Sequence, residues 1–586
     1  MLLETAMSTI TTARFVRAAS LAELDAAAEG RLVVQVAGHT LVLLRHDGGV
    51  RALDNRCPHL GFPLHRGSVK DGILTCHWHH ARFDVCTGGA FDLWADDARA
   101  YPVEERDGDL WVDVTVPGDP REHLIDRLQH GLERNLSLVL AKTAVASGDL
   151  GVPPVEPFRA GVVFGARYRR GGWGQGLTIH TCLMNLVSHL DLEDRPRALY
   201  QGLSAVAGDT AGNAPRFAVA PLPGGGVDPS TLKRWFRRFV LVRDAEGAER
   251  CLISAIHADA NRQTLADMLF TAATDHHYYG GGHVADFTNK ALEALDLAGW
   301  THAEAVLPSL APFFASAGRS EENNAWRNPV DLVAMLRGAF EKLPDALAAG
   351  RMKRYGGGAE LIPTLLAESA SDAVGAMLAA LSEGCKPEEL AALVTHAAAT
   401  RVAQFHTSNE FGDWDTALHT FTFANAIEQG MHRAPSTELL RGVFDAAMSV
   451  HLDRFLNIPP ARLPAPDGKG SPEELLEGLM PLLDGQQQVN PAGELAAAYL
   501  AAGGDPARLM ARLGRALLRE DRDFHTIQCV EAAVRQYTAR RGTPEGAVAL
   551  IAAARYLAAH APTRRTQDQL FRTAERLHRG ERLFEG

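Results

Sequence analysis

Residues 56–89 read RCPHLGFPLHRGSVKDGILTCHWHHARFDVCTGG, and this stretch decides how the first part of the chain folds. Cys57-Pro58-His59 and Cys76-His77-Trp78-His79 each offer one thiol and one imidazole, with sixteen residues between His59 and Cys76. Two sulfurs and two ring nitrogens in paired loops form a metal-binding set. Zinc and iron–sulfur chemistry draw on the same residue types. Both pairs fall at turns between β-type runs, which lets the two loop tips converge.

Working outward, residues 13–116 carry short runs such as LVVQVAG, TLVLLRH, GVRALD and LWVDVTV, punctuated by GG, DG and GD turns. That texture predicts a small antiparallel sheet domain. A tail over 1–12 precedes it, and a linker over 117–122 follows it. From 123 to 586 the period changes to helical, with Ala- and Leu-rich stretches such as TLADMLFTAAT, PVDLVAMLRGAFEKLPDALAA and PEELAALVTHAAATRVAQF. Gly, Pro, Asp and Asn clusters separate them, so successive antiparallel helices are expected. The glycine-rich FRAGVVFGARYRRGGWGQG is the exception and reads as a strand or extended arm. The fold class expected is therefore multidomain α+β: a small antiparallel-β domain, then a large all-α bundle or repeat domain.

The two loops and their flanks, Leu60-Gly61, Trp78, Arg82-Phe83-Asp84 and Thr87-Gly88-Gly89, resemble the Rieske [2Fe–2S] ferredoxin-type domain. The resemblance implies that Cys57, His59, Cys76 and His79 bind a [2Fe–2S] cluster, two thiolates on one iron and two imidazoles on the other. High-potential members of that family add an inter-loop disulfide and hydroxyl donors. Leu60 and His77 stand where these would be, so a potential in the lower part of the Rieske range is expected. Cys86 reads as a buried thiol, and His77 and His80 as surface residues.

Rieske non-haem oxygenases carry a helix-grip domain with an Asp-x-x-His-x(4)-His string, and that string is missing here. The helical region instead holds 17 histidines. Three recur in like settings: His283, His419 and His525 each have an apolar residue four positions on (Phe287, Phe423, Cys529). Each also has Asn or Glu six positions on (Asn289, Asn425, Glu531). All three read as opening a helix, and the likeness of about 250–300 to 385–430 suggests internal duplication. Asp415 with His419, and Asp521 with His525, are four apart, a spacing that shares one helix face. A second metal site is therefore expected from His276, His277, His283, His396, His406, His419, His525, Asp415 and Asp521. Its metal reads as iron, mono- or dinuclear, with haem a lesser option. His180 and His189 lie on opposite faces of one helix, so at most one could join. DFHTIQCVEAAVRQY also looks faintly like helical oxygenases of the questin-oxidase type.

Composition bounds the function. A formal charge of −12 argues against nucleic-acid or anionic-membrane partners. No run approaches the roughly 20 apolar residues of a membrane span, and no secretory signal is evident, so a cytoplasmic location is expected. Seven sparsely spread cysteines do not form a disulfide framework. The function expected is an oxidoreductase: an oxygenase in which the cluster relays electrons to a His/carboxylate-bound iron for O₂-dependent oxidation of an organic substrate. An external reductase or ferredoxin would supply the electrons, and a homo-oligomer is compatible. The alternative is a non-catalytic electron carrier or redox sensor on a helical protein-interaction scaffold.

Overall fold

A computed structural model describes residues 14–92, 94–115, 119–224, 226–465, 469–581 and 583. The expected tail over 1–12 and the start of the expected linker lie outside the described residues. The chain divides into two compact units, Met1–Pro157 with Gln569–Gly586, and Phe158–Asp568.

The first unit is built on β1 (Phe15–Ser20), β2 (Arg31–Val36), β3 (His39–His46), β4 (Gly49–Asp54), β5 (Ser68–Lys70), β6 (Ile73–Thr75), β7 (Arg82–Asp84), β8 (Ala100–Tyr101), β9 (Val103–Arg106) and β10 (Asp109–Asp113). They form three antiparallel sheets in the orders β1-β10-β9, β2-β3-β4-β8 and β5-β6-β7. Asp71-Gly72 joins β5 to β6 with both residues at positive φ (52° and 78°), the backbone that a tight two-residue hairpin requires. Alternation along β3 and β4 splits the interior into two apolar clusters. One, with Leu64, Leu74, Phe83 and Val85, lies under Cys57 and Cys76. The helix Pro120–Glu133 starts inside the expected linker, with Asp119 accepting from the Arg121 N–H and Pro120 at its first position. That helix and Ser137–Asp149 cluster with the β-rich unit, whereas the sequence reading gave everything from 123 onward to the helical domain.

The second unit is helical in its regular structure among the described residues. The stretch read as a strand or arm forms the helices Val155–Tyr168 and Gln175–Leu186, which corrects that expectation. Its glycines serve close packing rather than extension. A Cβ on Gly161 would lie 2.5 Å from the His180 ring, and one on Gly165 would lie 2.5 Å from Leu177. Four helices close a ring: Gln175–Leu186 packs on His283–Ala298, then Phe411–Arg433, then Phe524–Ala539, which returns to the first. Gly280, Gly281 and Gly282, all at positive φ, lead into the His283 helix. A Cβ on Gly282 would sit 2.8 Å from the Phe423 Cβ, so only glycine lets these two helices approach so closely. No helix of the described residues is long and apolar enough to cross a membrane.

Candidate metal centres

The first centre sits on two loops, one leaving β4 and one joining β6 to β7. Each closes on itself. The Gly61 N–H donates to the Cys57 carbonyl and the Cys57 N–H to Phe62, while His80 and Cys76 make the same pair of bonds with Cys76 and Ala81. Both cysteines are buried. The rings of His59 and His79 meet edge to face at 4.8 Å. His59 Nδ1 is buried without a hydrogen-bond partner, a lone donor position left for a ligand.

The two thiols share a hydrogen bond. That bond, reinforced by the Trp78 and His79 N–H groups, pulls Cys76 down to about 6 against its burial. The same bond and burial push Cys57 up. Burial, then His79 and Lys142, hold His59 down at about 4, so its nitrogen lone pair stays available. Among the described residues, one group of three His, Cys, Asp or Glu donors closes to within 4.8 Å, and it is not this one. Two thiols and two imidazoles on paired loops are the donor set of a Rieske cluster. The residues present therefore fit a [2Fe–2S] cluster. Cys86, read as a buried thiol, is exposed and accepts from Arg51 Nε at 3.4 Å, because it rides on the turn after β7. His77 and His80 are exposed.

The group that does close within 4.8 Å is His283, His419 and His525. His419 Nε2 and His525 Nε2 are 2.9 Å apart, and the His283 ring stands edge to face on His419 at 4.6 Å. Burial, then the facing imidazoles of His283 and His525, push His419 down to about 3. Burial also lowers His525, against the pull of Asp415 and Asp523. Phe287 and Phe524 pack on the His283 ring and Phe313 on Phe287, which keeps bulk water from this side. Behind the rings stand carboxylates. Asp286 Oδ2 lies 3.9 Å from His283 Nδ1, and Asp415 Oδ2 lies 3.6 Å from His525 Nδ1. Gln528 donates to Asp286 at 2.5 Å, and the Tyr556 hydroxyl donates to Asp415 at 2.5 Å, with His560 Nε2 3.6 Å from the same carboxylate.

Of the nine candidate ligands, three are thus brought together and Asp415 stands behind them. The others lie elsewhere, most of them with separate partners and His396 with its Nδ1 buried and unpartnered. His276 Nδ1 donates to Glu321 and His277 Nδ1 to Asp445, each at 2.6 Å. His406 bonds Ser408 at 2.7 Å, and His396 is held down by burial on the helix Pro387–Ala403. Asp521 does not share a face with His525. Asp523 caps that helix by accepting from Thr526, so Asp521 lies ahead of it and accepts instead from the Thr566 and Gln567 N–H groups. His419 lies well inside the helix Phe411–Arg433 rather than opening it. His180 donates to the Phe158 carbonyl. Sequence reasoning missed Tyr556 and His560: Tyr556 is 141 residues from Asp415, and no local spacing links them.

Below the triad runs a buried polar layer that uses the three positions six residues on. The Asn289 amide donates to Glu293, Asn425 accepts from Gln536, and Glu531 accepts from Lys290 at 2.6 Å and from Asn185 at 2.8 Å.

Comparison with known proteins bears on the first centre. The family model of the Rieske [2Fe-2S] domain matches residues 15–102. A vanillate O-demethylase oxygenase subunit of Pseudomonas sp. is 37% identical over 91 residues, 14% of this chain and 26% of the relative. The ferredoxin component of the naphthalene 1,2-dioxygenase/salicylate 5-hydroxylase systems of Ralstonia sp. is 36% identical over 83 residues, 14% of this chain and 80% of the relative. Among solved structures, the ferredoxin of carbazole 1,9a-dioxygenase from Nocardioides aromaticivorans is 28% identical, covers 17% of this chain and 98% of that one, and gives a TM-score of 0.16. The chain spans about a quarter of the length of the vanillate demethylase subunit it matches. Over residues 15–102, the chain belongs to the Rieske [2Fe–2S] domain family and binds that cluster.

Proposed function

We propose that this protein is an oxidoreductase that oxidises an organic substrate with O₂, using a mononuclear iron held by His283, His419 and His525. The observation that carries the reading is the convergence of those three ring nitrogens within 4.8 Å. When bound, the [2Fe–2S] cluster supplies single electrons and the iron supplies O₂ activation. Relatives of the Rieske part include oxygenase subunits and ferredoxins, which supports redox work at that level.

The chain's own residues account for the rest. Three converging imidazoles are a donor set that a borderline metal takes, and burial keeps His419 unprotonated far below neutral pH. Among the described residues the converging set is three imidazoles, and three protein ligands leave positions open for small molecules. Asp286 and Asp415 stand 3.9 and 3.6 Å from the Nδ1 atoms of His283 and His525, placed to attract a proton on the outer nitrogen when a metal binds the ring. Tyr556 in turn holds Asp415 by its hydroxyl, and Gln528 holds Asp286. The phenylalanines around His283 strengthen polar contacts in the site by excluding water. The electron donor, a reductase or ferredoxin, and the organic substrate come from outside the chain.

The test uses full-length, iron-loaded protein reduced without oxygen and then mixed with air-saturated buffer, with cluster absorbance followed in time. Reoxidation should be at least about tenfold slower in His419→Ala than in wild type, while the reduced cluster keeps its EPR signal. Equal rates would sink the oxygenase reading in favour of an electron carrier on a helical scaffold.

A further inference from the structure

Away from the triad, a cavity of about 900 Å³ opens between the chain after Phe405, the loop 459–465 and the helices Pro472–Leu482, Val489–Ala501 and Pro544–Ala559. Its charged lining is Arg462, Lys469, Glu494 and Arg555, with His406 beside them. Pro464, Leu475 and Leu495 supply apolar walls. Three of those four charged groups, among the described residues, are cations, in a chain whose formal charge is −12.

Arg555 is the telling residue. It is 1% exposed, yet it lines the cavity. One guanidinium nitrogen donates to Asn490 Oδ1 at 2.7 Å and another to the Phe405 carbonyl at 2.8 Å. Its Nε is buried with no partner. Both acceptors are neutral, and no carboxylate pairs with it within 4.0 Å among the described residues. Some buried cations of this unit do have such a partner, while Arg401 likewise rests on backbone carbonyls. Lys290 meets Glu531 at 2.6 Å, and Arg197 meets Asp194 at 2.7 Å. Glu494 at the same wall attracts Arg555 through space without pairing with it, and a bound anion in contact with the buried guanidinium would offset more of the cost of burying that charge. Burial accordingly pushes Arg555 down to about 10.

The seat is also built on the backbone side. The Arg555 stem runs across Gly493 in the middle of Val489–Ala501, where a Cβ would lie 2.8 Å from Cγ of Arg555. Glycine inside a helix is destabilising relative to alanine, and here it leaves the room that the arginine stem occupies.

We propose that this cavity is a binding site for a small organic anion, its carboxylate or phosphate group on Arg555 and Arg462 and its apolar body against Pro464, Leu475 and Leu495. A hollow of this volume matches small-molecule sites, and guanidinium groups recognise both headgroups through paired N–H donors. Glu494 at the same wall disfavours ligands carrying several negative charges. The inference stands apart from the triad and does not depend on what the triad does.

Calorimetric titration of the cluster-loaded, full-length protein with benzoate, phenyl phosphate and neutral benzyl alcohol tests it. At least one of the two anions should saturate at one per chain and benzyl alcohol should not bind, with the better anion identifying the headgroup. Arg555→Met should abolish binding. Arg462→Glu, a change at the exposed rim, should weaken it by about tenfold or more and serves if the buried substitution impairs folding. Absence of saturable anion binding at millimolar concentration would overturn the proposal. So would equal binding of the alcohol, or wild-type affinity in both folded variants.

Discussion

Lys142 shows how much one side chain can matter and how little of it is legible locally. Its Nζ donates to the Pro58 carbonyl at 2.7 Å, between the proposed cluster ligands Cys57 and His59. Burial, then Arg127, hold its pKa down to about 8, so it remains mostly charged at neutral pH. A cation beside a cluster favours the reduced, more negative state. Replacing it by Lys142→Met should lower the cluster's reduction potential, on the order of tens of millivolts for a unit charge at this range in a part-screened interior. Lys142→Arg should stay near wild type. An EPR-monitored redox titration reads both, and an unchanged potential in Lys142→Met would remove the lysine from the account. The four proposed cluster donors form a local spacing within 57–79, which a sequence displays directly. Lys142 was not legible, since it reaches the loop across 84 residues from a helix that had been assigned to another domain.

Among the helices, periodicity located the elements, but their starting points decided the site. His419 was read as opening a helix, yet the Asp413 carboxylate accepts from the Glu410 N–H and starts the helix about two turns earlier. The imidazole therefore projects from mid-helix and meets His525 across the ring of four helices. Asp521 was given a ligand's place by its i, i+4 spacing, which has meaning only inside a helix, and the cap at Asp523 excludes it. The residues six positions after each histidine proved informative in another way, since they fall in the buried layer that ties the ring together. At its centre, burial alone would lower Lys290, but Glu293 and Glu531 outweigh it and raise it. Lys290→Met would leave both carboxylates buried with Arg535 alone to offset them, and should cost about 3–5 kcal/mol of stability. Denaturant unfolding followed by far-UV circular dichroism measures this. A loss under 1 kcal/mol, about the worth of an exposed ion pair, would show that the layer contributes little.

For the molecule as a whole, the two-texture division of the sequence, β-rich then helical, carries over to the fold, because side-chain period 2 and period 3.6 are distinct over long stretches. The boundary was less legible. Helices that pack on a β unit have the same period as those of a bundle, so Pro120–Glu133 and Ser137–Asp149 gave no sign of their allegiance. Convergence of His283, His419 and His525 rested on an analogy of local surroundings, and distances between helices are not written in spacing. Each unit has its own interior, so loss of one centre should leave the other in place. The most direct test is the ratio of iron to acid-labile sulfide in full-length protein loaded with ferrous iron and freed of excess metal. Wild type should hold about three irons for two sulfides, and the triple variant His283→Ala, His419→Ala, His525→Ala about two for two, with the cluster's spectrum unchanged. One iron per sulfide in wild type, or a ratio that the triple substitution does not alter, would contradict the account.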